Sequence, residues 1–275
     1  MNELNTPSSK KYRIALGIEY DGSSYSGWQC QKSPKVVTIQ GHIDAALSKI
    51  ADSDIKTICA GRTDAGVHAT NQVVHFDSPV DRGVKAWTIG VNSILPKSIR
   101  VLWAEPVGTD FHARFSAQAR RYNYVFYHRK IESALLSSKV THVPRPLNIE
   151  LMHEATQALL GEHDFSAFRA AGCQSKSAKR RIISIRCLQR GPFIIFDVKA
   201  NAFLLHMVRN LAGALLEIGE GKREVAWMSQ LLTSKDRKLA GLTAPPDGLY
   251  LVAVDYPLKY NIRHSPHLPI NLNET

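Results

Sequence analysis

Residues 59–70 read CAGRTDAGVHAT. Asp64 stands between Gly61 and Gly66, with Arg62 two residues before it and His68 four after. A carboxylate can serve as acid, base or nucleophile, and a guanidinium beside it can hold an anion in a fixed plane. Glycines on both sides open backbone conformations closed to other residues and let a second chain approach. The pattern points to chemistry by a single carboxylate on an anionic substrate. Asp54 is the only other carboxylate within ten residues, so the stretch does not resemble the paired carboxylates of a glycosidase. The competing reading is a plain turn, with Asp64 as its capping residue and Arg62 as a solvated charge.

Such a loop needs elements to hold it. Upstream, RIALGIEY (13–20) alternates as a strand, DGSSYSG reads as a turn, and TIQGHIDAALSKIA (38–51) carries Ile39, Ile43, Ala46, Leu47 and Ile50 at helical spacing. IKTICAG (55–61) and QVVHFD (72–77) read as strands on either side of the loop. VKAWTIGVNSIL (84–95) reads as a helix stopped by Pro96, and IRVLWAEPV (99–107) as a strand. The order then repeats. RRYNYVFYH (120–128) is a strand with Tyr122, Tyr124 and Phe126 on one face. NIELMHEATQALLG (148–161) is a helix opened by Asn148 and closed by Gly161. RIISIRCLQR (181–190) and PFIIFDVKA (192–200) are strands joined around Gly191-Pro192. FLLHMVRNLAGALLEIGEG (203–221) is an amphipathic helix with Phe203, Met207, Leu211 and Leu215 in one stripe, and LYLVAVDYP (249–257) is a closing strand.

The predicted fold class is therefore α+β. Two β-α-β-β-α-β halves, ferredoxin-like or RRM-like, share a largely antiparallel central sheet, with helices on one face and a basic cleft on the other. The predicted divisions are a flexible N-terminus (1–10), a first half carrying the carboxylate (11–110), a second half (111–258) and a flexible tail (259–275).

The 275 residues suffice for one large core or two small ones, and 44% hydrophobic with 21% charged residues is ordinary for a globular chain. Lysine and arginine number 35 against 24 aspartates and glutamates, a formal charge of +11 spread along the sequence. A folded basic surface suits a polyanionic partner, nucleic acid first. No apolar run approaches the roughly 20 residues of a membrane span. The polar start MNELNTPSSKKYR lacks the core of a secretion signal, so no membrane partner and a cytoplasmic location are expected. Cys30, Cys59, Cys173 and Cys187 show no C-x-x-C spacing and are expected as reduced thiols. The 11 histidines form no metal-binding spacing, so no metal is expected.

AGRTDAGVHA closely resembles the signature of the TruA family of tRNA pseudouridine synthases. Four further segments match in order: YDGSSYSGWQCQ (20–31), FHARFSAQARRYNY (111–124), GEHDFSAF (161–168) and NAFLLHMVRNLAGALLEIGEG (201–221). The resemblance runs from about residue 12 to 257 and is far more specific than one short motif. It implies conversion of uridine to pseudouridine at positions 38 to 40 of the tRNA anticodon stem-loop, with no cofactor and, as in the family, a homodimer. The uracil leaves C1′ of its ribose, turns, and rejoins through C5. The target base must leave its stack to be reached.

By resemblance Asp64 is the catalytic carboxylate, as nucleophile on C1′ or as base on the ribose; the sequence leaves both open. Arg62 matches the arginine that fills the vacated space, and Tyr122 the tyrosine that stacks on the flipped uracil. Arg209 matches the arginine paired with the carboxylate, and Leu249 an apolar wall. Outer RNA contacts carry over to Arg82, to Phe111, His112, Ala113, Arg114 and Phe115, to Lys130, and to Gly172, Cys173, Gln174, Ser175 and Lys176. Without the resemblance, Tyr122 reads as a core aromatic and Arg209 as a snorkelling surface arginine. Two rival functions use the same frame: a catalytically silent RNA binder, which has no need of a carboxylate facing phosphates, and a hydrolase, for which no water-activating group stands nearby.

Overall fold

The computed structural model describes residues 11–31, 33 and 36–262. The expected flexible N-terminus and residues 263–275 of the expected tail lie outside them. The chain runs β1 (Tyr12–Tyr20), α1 (Ile39–Ala51), β2 (Ile58–Cys59) and β3 (His68–Ser78). Next come α2 (Gly83–Lys85), a π turn (Ala86–Gly90), α3 (Val91–Ile94) and β4 (Ile99–Val107). The second half holds β5 (Ala119–His128), β6 (Thr141–Val143), α4 (Ile149–Gln157), β7 (Gly161–Asp164), β8 (Lys179–Arg190) and β9 (Phe193–Ala200). It ends with α5 (Met207–Gly219), α6 (Trp227–Ser234) and β10 (Leu249–Asp255).

All ten strands belong to one sheet, ordered β4-β1-β3-β10-β5-β9-β8-β7, with β2 on β3 and β6 on β5. Every pairing is antiparallel except β5–β6 and β3–β10. The β3–β10 seam joins the two halves through Tyr250 opposite His68 and Leu251 opposite Ala69.

Local chemistry explains where the elements begin and end. Thr38 caps α1 by accepting from the Gly41 N–H at 3.3 Å, and Asn148 caps α4 by accepting from the Leu151 N–H at 3.0 Å. The strand expected at 55–61 shrinks to Ile58–Cys59. The buried Asp44 carboxylate of α1 takes both the N–H (3.0 Å) and the hydroxyl (2.6 Å) of Thr57, which ties that segment to the helix instead of the sheet. β3 starts four residues earlier than expected, since the buried polar run His68–Gln72 reaches back to meet β10. α4 stops at Gln157, and Gly161 opens β7 rather than closing the helix. α5 starts only at Met207, which leaves Phe203 outside it. Residues 258–262 pack back onto the core: Lys259 pairs with Asp110 at 2.8 Å and the Tyr260 ring meets Phe111 at 5.1 Å. The boundary expected at 258 therefore falls inside packed chain.

One hydrophobic core runs through both halves. It takes Tyr122, Tyr124, Leu249 and Leu251 from the sheet and Met207, Leu211 and Leu215 from α5. Val125, Tyr250 and Val252 alternate with them and form a separate cluster on the opposite face.

Candidate active site

The carboxylate loop lies in a bed of buried polar groups. Gln72 of β3, fully buried, grips Gly61 from below: its Nε2 donates to the Gly61 carbonyl at 2.6 Å and its Oε1 accepts from the Gly61 N–H at 3.4 Å. The Thr63 hydroxyl shares a 2.7 Å hydrogen bond with the Tyr20 hydroxyl. The Trp28 N–H donates to the Thr63 carbonyl at 3.0 Å. Asp64 then opens a tight turn in which the Val67 N–H donates back to the Asp64 carbonyl at 3.2 Å. Gly66 takes φ +80° there, as the third residue of a type II turn requires. The turn reading of this stretch is thus correct, and the turn presents the Asp64 carboxylate to the open side of the loop.

Asp64 faces a cleft of about 730 Å³. Tyr122 and Leu249, both buried, form part of its floor, and the Tyr122 ring meets Phe203 edge-on at 5.0 Å. Burial pushes the Tyr122 phenol above its ordinary pKa, and the nearby Asp64 charge adds to the shift, so the ring stays neutral. Because Tyr122 and Leu249 share their sheet face with the α5 core, the cleft opens on the face that carries α5. The expected separation of helices and cleft onto opposite faces is wrong: the site sits between flanking elements of the two halves at the β3–β10 seam.

Five arginines line this cleft, Arg62, Arg114, Arg120, Arg180 and Arg209, against the one carboxylate of Asp64 among the described residues. Arg209 Nη1 lies 3.7 Å from Asp64 Oδ2, while its Nε donates to the Ala244 carbonyl at 2.8 Å. That second bond fixes the side chain along α5. Arg62 is exposed at the rim and makes no hydrogen bond or ion pair among the described residues.

Two residues at the cleft escaped the sequence reading. His206 Nε2 stands 3.5 Å from Asp64 Oδ2. Its signal was hidden inside the apolar run taken as one long helix. Arg120, in the matched segment but not singled out, donates to the carbonyls of Ala60, Arg114, Ala117 and Asn201. It thereby ties the carboxylate loop to the basic segment that precedes β5.

The outer candidates divide. Arg114 and the loop residues Gly172, Cys173, Gln174 and Ser175 line the cleft, and Lys176 is exposed beside them. Burial alone would push the Cys173 thiol up, but the N–H groups of Leu205 and Ser175 and the Arg169 guanidinium bring it below its ordinary value. Phe115 is 75% exposed and its ring stacks on His112 at 4.3 Å. Phe111 and Ala113 are buried in the core, so neither side chain can reach a ligand; they anchor the segment that presents Arg114 and Phe115. Arg82 and Lys130 are exposed and lie outside the cleft lining.

A basic cleft with a single braced carboxylate on its wall defines a class: a protein that takes a polyanion and carries one group able to do acid–base or nucleophilic chemistry on it. The family profile described as tRNA pseudouridine synthase matches residues 17–116 and 155–257. Proteins named tRNA pseudouridine synthase A from Escherichia coli (strain SMS-3-5 / SECEC) and from Shigella boydii serotype 18 are each 51% identical to this chain over 261 residues, covering 95% of it and 96% of their own length. Among solved structures, a chain of the archaeal box H/ACA sRNP Nop10–Cbf5 complex aligns with 74% of this chain and 43% of its own, at 13% identity and a TM-score of 0.30. The chain belongs to the tRNA pseudouridine synthase family.

Proposed function

We propose that this chain acts at positions 38, 39 and 40 of the tRNA anticodon stem-loop, with Asp64 as the carboxylate that acts on the ribose. As a member of its family it isomerises uridine to pseudouridine in tRNA. The N1–C1′ bond breaks and a C5–C1′ bond forms; C5 gives up a proton and N1 ends with one, so atoms and electrons balance. What carries the reading is the one carboxylate in a five-arginine cleft, held on a loop whose neighbours are pinned by Gln72, Tyr20 and Trp28.

In this reading Arg62, unengaged at the rim, enters the gap left by the flipped nucleotide and holds its phosphate. The uracil lies over Tyr122, whose flat face in an apolar floor with Leu249 is worth about 1–3 kcal/mol of stacking. Arg209 orients the Asp64 carboxylate from 3.7 Å away. An attack by Asp64 on C1′ and proton abstraction from the ribose both fit the same placement. Arg114 and the 172–176 loop hold the flanking phosphates.

The same reading takes the two halves as repeats of a ferredoxin-like unit: β1 to β4 lie in the spatial order fourth, first, third, second, and β5, β8, β9 and β10 do likewise once the short β6 and β7 are set aside. It takes the protein as a cytoplasmic homodimer, following the resemblance, and light scattering of the pure protein checks the assembly. Among the described residues no helix is long and apolar enough to cross a membrane.

The test is incubation with a tRNA transcript carrying uridines at 38–40, followed by site-resolved pseudouridine detection, for wild type and Asp64→Asn. The expected result is modification by wild type only, with similar tRNA affinity for both. Residual Asp64→Asn turnover within tenfold of wild type removes Asp64 from the reaction and favours another group in the cleft.

A further inference from the structure

His206 is the first residue of the chain to turn into α5, and it does so in the left-handed conformation, at φ 58° and ψ 7°. Glycine or asparagine is the usual occupant of such a position; a histidine there carries strain that its surroundings must hold. The turn is closed on both sides, by the Met207 N–H donating to the Leu204 carbonyl at 3.1 Å and the Asn210 N–H donating to the His206 carbonyl at 2.9 Å. The consequence of this bend is to aim the imidazole back across the cleft. Its Nε2 comes within 3.5 Å of Asp64 Oδ2, and it has no other polar partner among the described residues.

The same oxygen is approached by Arg209 Nη1 at 3.7 Å, from one turn further along the helix. Two groups from the start of α5 therefore converge on Oδ2, and Oδ1 has no partner among the described residues. We propose that His206 is a positioning residue for the isomerisation. With Arg209 it clamps Oδ2, fixes the rotation of the carboxylate, and leaves Oδ1 as the oxygen that meets the ribose. The inference rests on Asp64 being the reacting carboxylate. It explains why a strained histidine stands where a glycine would fold more easily: the strain is held to keep an imidazole at this spot. Arg209 alone, anchored through its Nε on Ala244, approaches Oδ2 from one side only and leaves the carboxylate free to swing.

The position allows backbone and side-chain roles to be separated. Glycine and asparagine both accept the left-handed turn; glycine removes the ring, and asparagine shortens the side chain below the reach of Nε2. Wild type, His206→Gly, His206→Asn and Asp64→Asn are compared by thermal melting, tRNA binding, and single-turnover pseudouridine formation at saturating tRNA. The His206 variants are expected to melt no lower than wild type and to bind tRNA within twofold of it. Their saturating rate should fall by about tenfold to a hundredfold, the range in which a misplaced reacting group costs rate. Added imidazole should restore part of the rate of His206→Gly and none of that of Asp64→Asn. A His206→Gly rate within twofold of wild type overturns the inference. So does a rate loss that tracks a lowered melting temperature and does not respond to imidazole, since His206 would then be structural only. A wild-type enzyme silent on tRNA sinks the functional reading and this inference together; an active wild type with unaffected variants sinks this inference alone.

Discussion

Gln72→Leu tests whether the carboxylate depends on the bed beneath it. Leucine keeps roughly the volume and the apolar packing but deletes both atoms that grip Gly61. The lost contacts are the 2.6 Å bond to the Gly61 carbonyl and the longer 3.4 Å bond from its N–H. Gln72 is 0% exposed, so water cannot replace it without opening the core. A buried carbonyl left without its donor costs about 1–3 kcal/mol, and the weak second bond adds little. For a chain of this size that lowers the melting temperature by roughly 2–10 °C. The functional effect comes through geometry. Gly61 is three residues from Asp64, and a shift near 1 Å at the reacting group costs up to about a hundredfold in rate. The expected outcome is a moderate loss of stability, unchanged tRNA affinity, and a saturating single-turnover rate lower by tenfold or more. Tyr20→Phe, which removes the hydroxyl that bonds Thr63 and also meets Gln72, should repeat this on a smaller scale, and the double variant should lose less than the sum because the two side chains interact and act on one loop. A Gln72→Leu enzyme that melts early yet keeps its saturating rate would falsify the argument, since the loop would then hold its shape without the clamp.

Acid should weaken the protein through His75. Burial, with His112 and Arg13 adding to it, lowers this imidazole to about 4, so the unfolded chain binds a proton first as pH falls below about 6.5. Stability is then lost between about pH 6.5 and 4, by up to roughly 3 kcal/mol, and urea midpoints across that range should slope less steeply in His75→Gln; equal slopes refute it. Gly213→Ala should lower the melting temperature by several degrees, since a Cβ there would meet the Leu242 carbonyl at 2.0 Å in backbone that cannot swing aside; a wild-type melt refutes that close approach. In a salt series, Arg114→Ala should shallow the slope of log binding constant against log salt by about one contact, while Arg62→Ala should lose mainly the rate at saturating tRNA. If Arg62→Ala lost affinity alone, Arg62 would be one more phosphate contact.

Periodicity carried the fold where one face of an element is buried and the other is not. β1, α1, β4, β5, β8 and β9 were legible on that ground, and so was the apolar stripe of α5. It failed where polar side chains are buried with partners. The run His68–Asn71 looks like loop, yet it is strand; Thr57 looks like strand, yet Asp44 draws it out of the sheet. It also failed where an apolar run bends, as at 203–206, because no pattern of residue types signals a left-handed histidine. Asp64 and Arg209 could be named as a candidate pair only through the resemblance, whereas the approach of His206 and the four-carbonyl brace of Arg120 exist only once both halves are packed.

The β3–β10 seam sets the order in which this protein can become competent. β3 belongs to the first third of the chain and β10 to the last tenth of the described residues, and they meet over only two residue pairs. A contact so distant in sequence is slow to find and weakly rewarded until its neighbours are in place. As the chain leaves the ribosome the loop bearing Asp64 can already fold on β1 and β3, but Leu249 and the far side of Tyr122 are still missing. A nascent chain that has reached only β9 thus has a carboxylate without a pocket. It has nowhere to seat a base, so competence waits for α5 and then the final strand.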